Sequence, residues 1–120
     1  MIEGQTSKRF DLEERTFQFA QDVRRFVKNL DRTLASIEDA RQLIRSSGSV
    51  GANYIEANEA LSNKDFLLRI KICRKEAKES RYWLQLIETG ADGDRERLIQ
   101  EAGELMNIFG AIVRKTGGTT

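Results

Sequence analysis

Apolar residues return at alternating three- and four-residue steps through four stretches of the chain, the pattern of helices that each bury one side. The first stretch covers about residues 11–30, with Leu12, Phe19, Val23, Phe26 and Leu30 on the repeating positions and Asp11 as a candidate N-cap. In the second, about 36–61, Ser36 is the candidate cap, and Ile37, Ala40, Ile44, Ser47, Gly51, Tyr54, Asn58 and Leu61 keep the same steps. The third, about 63–89, is the most regular. Phe66, Ile70, Cys73, Ala77, Ser80, Leu84 and Ile87 hold a strict four-three spacing, Ser62 or Asn63 caps the start, and Gly90 marks the end. After the loop GADGD, Asp94 is placed to cap a fourth stretch, about 94–115, that carries Leu98, Ala102, Leu105, Phe109 and Ile112, and KTGGTT then frays.

No proline interrupts any of these stretches. At about 1.5 Å per residue they are roughly 30–39 Å long, matched closely enough to lie side by side, and short connections make neighbours antiparallel. The pattern predicts an all-α, antiparallel up-and-down four-helix bundle that forms a single domain over residues 1–120, with flexible termini.

Composition narrows the chemistry. Apolar residues at 39% against charged residues at 32% suit a folded body with a solvated exterior. No apolar run reaches membrane-spanning length and MIEGQTSKRF has no apolar signal core, so the expected location is cytoplasmic, with no membrane partner. The chain has no histidine and one cysteine, which removes the usual metal sites, histidine triads and any intrachain disulfide. No catalytic residue, metal or cofactor is expected. A net charge of +1 leaves any nucleic-acid role to the arrangement of charge.

Three constellations stand out. Around Gly48 and Gly51, small residues sit inside a helix where glycine costs about 1 kcal/mol relative to alanine. A phosphate cradle would need a preceding strand, which is lacking, so close helix approach, with Trp83 or Phe66 resting on the backbone, is the reading adopted. On the third helix, Lys64, Lys71, Arg74, Lys75, Lys78 and Arg81 fall on one flank, and residues 63–88 hold seven bases against four acids. Such a flank suits a phosphate backbone, and it also suits plain solvation. The opposite flank holds Ile72, Glu76, Glu79 and Trp83. Its two carboxylates are read as bonding to Asn53, Tyr54 or an arginine at a helix or subunit contact, and its apolar members imply self-association. Cys73 is read as core. Tyr82, beside the basic flank, is the better placed of the two tyrosines to stack on a base.

The run from Leu43 to Ala57, LIRSSGSVGANYIEA, followed by Lys64-Asp65-Phe66 and by KEAKESRYWL from Lys75 to Leu84, resembles the four helix bundle proteins encoded in intervening sequences of bacterial 23S ribosomal RNA genes. The resemblance spans about residues 10–116. It implies a compact subunit of a ring-shaped homopentamer with no catalytic residues. It extends to the accessory protein of diversity-generating retroelements, a basic pentamer that binds nucleic acid and a reverse transcriptase. Relatives commonly have proline near the first interhelical turn, where this chain has Asp31. The functional expectation is a non-enzymatic homo-oligomer that binds RNA or DNA nonspecifically through Lys71, Arg74, Lys75, Lys78 and Arg81. In this expectation Gly48, Gly51, Asn53, Glu76, Glu79 and Trp83 form helix or subunit contacts. The alternative is a scaffold for a protein partner, with no nucleic acid bound.

Overall fold

The computed structural model describes residues 2–90 and 92–117, with side chains from residue 12 onward. Four helices follow one another, α1 (Ile2–Lys28), α2 (Leu34–Asn58), α3 (Asn63–Leu86) and α4 (Asp92–Lys115), and no strand occurs among the described residues. Cross-helix pairs set the directions. Thr16 meets Gly51 and Arg24 meets Gly48, Ser46 meets Ser80, Arg81 meets Gly103 and Arg74 meets Gly110, and Arg15 meets Glu101 while Asp22 meets Arg97. Val50 also meets Cys73, so in each set one number rises as the other falls, every neighbouring pair is antiparallel, and the bundle closes through α1 against α4.

The helix ends differ from the sequence expectation in instructive ways. α1 begins at Ile2, so Asp11 lies inside it and does not cap it. α2 begins one turn earlier than expected. Thr33 is its N-cap, and Ser36 is the third helical residue, each side chain bonding the other's backbone N–H at 3.1 and 3.0 Å. Ser36 also donates to the Asp31 carbonyl, which ties the α1–α2 turn without a proline. α2 stops at Asn58, leaving Leu61 98% exposed in the turn. Ser62 caps α3 by accepting from the Asp65 N–H. The helix ends at Leu86, ahead of Gly90, but Ile87 continues the buried stripe from an extended backbone. Asp92 and Asp94 both fall in the first turn of α4, where negative charge suits the dipole. Of the expected fraying ends, residue 1 and residues 118–120 lie outside the described residues, as does Ala91 of the GADGD loop.

The core is built from Phe19, Val23 and Phe26 of α1, Leu43, Val50, Tyr54 and Ala57 of α2, Ile70, Cys73, Ala77 and Leu84 of α3, and Leu98, Ala102, Leu105, Phe109 and Val113 of α4. The buried stripe of α2 is turned from the expected one. Ala40, Leu43, Ser46, Ser47, Val50, Tyr54 and Ala57 face inward, whereas Ile37 is 41% exposed and Ile44 is half-buried at the α1 edge. Small polar residues let α2 and α3 come close: Ser46 and Ser80 share a buried 2.9 Å hydrogen bond, and each also bonds a carbonyl of its own helix.

Candidate nucleic-acid interface

Helix α3 presents its basic flank toward the outer edge of α4. Lys64, Lys71, Arg74, Lys75 and Lys78 are exposed and Arg81 is half-buried. Among the described residues, none of these six cations forms an ion pair or hydrogen bond. Two of them, Arg74 and Arg81, lie against α4. A methyl group placed on Gly110 would sit 3.8 Å from Arg74 Nε and 3.4 Å from Arg114 Nη1, and one on Gly103 would sit 3.8 Å from Arg81 Nη1. Two glycines one heptad apart thus leave shallow seats against which the guanidinium groups of these arginines lie. Arg114 extends the basic strip onto α4, a contribution that only the α3–α4 register reveals.

The α1–α4 face is the opposite case. A groove of about 680 Å³ there is lined by Glu14, Arg15, Asp22, Arg97, Glu101 and Glu104 among others. Arg15 forks onto Glu101 at 2.7 and 2.8 Å and reaches Glu104 at 2.8 Å. The hydrogen bond to Glu101, opposed by desolvation and aided by Glu104, raises the Arg15 pKa further. Glu104 is held below the usual carboxylate range, first by the Gln100 side chain and then by Arg15. Here the cations are already neutralised, as Arg97 is by Asp22 and Asp94.

The remaining candidates divide between the other faces. Gly48 and Gly51 do permit close packing, but the neighbour is α1. A methyl on Gly51 would come within 3.0 Å of Thr16 Oγ1 and 3.3 Å of its Cβ, and one on Gly48 would be 3.5 Å from Arg24 Nη2. Trp83 and Phe66, the expected neighbours, do not lie there. The whole 46–53 segment is helical, so its backbone N–H groups serve the helix and form no phosphate cradle. Asn53 bonds Arg69 at 3.0 Å and Ser49 at 2.9 Å, and neither carboxylate. Glu79 is paired with Arg45 at 3.2 Å and Glu76 more loosely at 3.8 Å. Glu76 Oε1 and Trp83 Nε1 are buried without a hydrogen-bond partner among the described residues, an arrangement proteins seldom leave unresolved. Arg45, Arg69, Gly103, Gly110 and Arg114 were invisible to periodicity, because their roles depend on which helix lies beside them.

Chemistry finds little purchase. No cluster of potential ligands that could hold a metal occurs among the described residues. Burial pushes the Cys73 thiol up to about 12, despite a hydrogen bond from its own backbone and the nearby charge of Arg69; the thiol donates to the Val50 carbonyl, so it is neutral and inert in the folded chain. No described helix is long and apolar enough to cross a membrane.

A family model described as 23S rRNA-intervening sequence protein matches residues 8–110. Among solved structures, a protein with unknown function from the S23 ribosomal protein family of Bacteroides thetaiotaomicron VPI-5482 superposes with a TM-score of 0.76 at 28% identity, covering 89% of this chain and 98% of that one. No curated protein matches.

Proposed function

This chain belongs to the 23S rRNA-intervening sequence protein family, and from that premise we propose that it is a self-associating cytoplasmic bundle that holds RNA or DNA electrostatically and performs no chemistry of its own. The observation that carries the reading is the row of cations along α3, Lys71, Arg74, Lys75, Lys78 and Arg81, unpaired among the described residues while the cations of the α1–α4 face are spoken for. Changing Lys71, Arg74, Lys75 and Lys78 together to glutamate is expected to abolish binding to a labelled RNA or DNA and to leave the helical circular dichroism intact. For the native chain, log affinity falls against log salt with a slope of about 0.7 to 0.9 per phosphate contacted. Undiminished binding by the fourfold variant removes the proposal.

Self-association is supported by two exposed apolar surfaces. One is a groove between α1 and α2, from Ile37 past Ile44 and Gly48 to Ile55, bordered by Phe17 at 62% exposure. The other is a ridge at the start of α3, formed by Leu68 and Ile72. Arg24, whose only described partner is the Ala20 carbonyl, lies mid-groove. Groove and ridge are different surfaces, so their union is head-to-tail and closes into a ring when the rotation allows, as the homopentamer implied by resemblance would require. A solution mass near five times 13.7 kDa is the expected result.

These same apolar surfaces favour a second reading, an assembly scaffold whose basic flank is merely solvated. An absorbance ratio free of nucleic acid, with self-association intact and no salt-dependent binding, selects it.

A further inference from the structure

Tyr82 is 55% exposed, unusual for a residue whose ring is mostly apolar, and it stands at the edge of the basic flank. Lys78 precedes it by one helical turn and Lys75 by two, so both lysines share its side of the helix, while Arg81 Nη1 lies toward Gly103 of α4. The ring is held in place. Trp83, itself half-buried with its Nε1 sealed from solvent, packs against Tyr82 in a T-shaped contact, with centroids 5.1 Å apart and planes at 72°. Leu86, 47% exposed, lies one turn further on and leans back over the Tyr82 turn, as helical side chains do. No ion pair among the described residues engages these cations, and Glu79 is paired with Arg45.

We infer that Tyr82 is a stacking platform for an unpaired base, and that the ligand of this flank is single-stranded nucleic acid whose phosphates follow Lys71, Lys75 and Lys78. The inference rests on the nucleic-acid reading above and adds strand class to it. A duplex keeps its bases stacked on one another and offers the ring nothing but backbone, whereas a single strand can place a base on the ring while its phosphates meet the lysines.

The test compares a fluorescently labelled oligouridine 20-mer with a 20-base-pair RNA duplex by anisotropy, at one fixed salt concentration, on the intact chain. Tyr82→Ala is expected to weaken oligouridine binding about 5- to 150-fold, the loss that removal of one stacked base produces. It should leave duplex binding and the salt slope unchanged. Tyr82→Phe, which keeps the ring and loses the hydroxyl, should bind like the native chain. Equal losses on both ligands, no loss on either, or a Tyr82→Phe variant as weak as Tyr82→Ala would each overturn the platform. If Tyr82→Ala has no effect while the fourfold charge variant fails to bind, the platform falls and the electrostatic reading stands. If the native chain binds neither RNA, both fall together.

Discussion

Gly51 and Gly103 are both helical glycines, yet a methyl group added to each meets different surroundings. At Gly51 it would press on Thr16, whose hydroxyl is pinned by bonds to the Leu12 and Glu13 carbonyls and which is 1% exposed, so neither side can give way. At Gly103 the nearest atom is the mobile end of Arg81, 3.8 Å away. Alanine at Gly103 should therefore stabilise the fold by roughly 0.5–1 kcal/mol through helix propensity alone, while alanine at Gly51 forfeits that gain and valine there costs about 1–3 kcal/mol. Urea denaturation of the three variants decides it, and a stabilised Gly51→Ala would refute the close contact. Cys73 yields a second prediction at this scale. Its thiol ionises near 9.0 in an unfolded chain and is pushed up to about 12 by burial. Between those values the unfolded chain sheds a proton that the folded chain keeps. The stabilising contribution is whole below about pH 9 and is lost as pH rises toward 12, at up to about 1.4 kcal/mol per unit. Cys73→Ala should be less stable at neutral pH and should lack this decline. Parallel pH profiles for the two proteins would contradict the burial.

At the scale of the element, α2 shows what periodicity can and cannot deliver. α3 was legible because its inward positions, Ile70, Cys73, Ala77, Ser80 and Leu84, lie on one stripe and its outward positions are mostly charged. α2 bears apolar residues on two adjacent stripes. The outer one, Ile37, Ile44 and Ile55, is the bulkier, while much of the inner one is alanine and serine, so a reading that favours bulk chooses an outward edge. Its helix start was misplaced for a related reason: Thr33 and Ser36 are both capping residues, and the reciprocal bonds that assign Thr33 the cap are visible only in three dimensions. Replacing Thr33 with alanine removes the acceptor for the Ser36 N–H and should cost about 1 kcal/mol. Ser36→Ala should cost a comparable amount, and the double variant less than the sum, because the two side chains act on each other's backbone. Strictly additive losses in thermal unfolding would argue against the reciprocal cap. The basic flank was equally legible along α3, whereas its continuation to Arg114 and its glycine seats required the register of α4.

For the whole molecule, the bulk of α2's outer stripe ceases to be an anomaly once it is regarded as half of a contact. A monomer has little reason to keep Phe17, Ile55 and Leu68 between 55% and 62% exposed on two separated surfaces. The head-to-tail assembly proposed here joins the α1–α2 groove of one copy to the α3 ridge of the next, and this geometry has a signature that a symmetric dimer lacks. Ile55→Asp spoils only the groove and Leu68→Asp only the ridge, and both positions are solvent-facing, so each variant should fold as a helical monomer. When the two are mixed, an intact ridge from the first can still meet an intact groove from the second. That single sound contact permits a heterodimer and nothing larger, because the outer surfaces of the pair are both defective. Sedimentation or light scattering should then report large assemblies for the native chain, monomers for each variant alone, and pairs for the mixture at concentrations where one contact suffices. A groove that met another groove across a two-fold axis would behave otherwise: Leu68→Asp would remain associated by itself, and mixing would rescue nothing in Ile55→Asp.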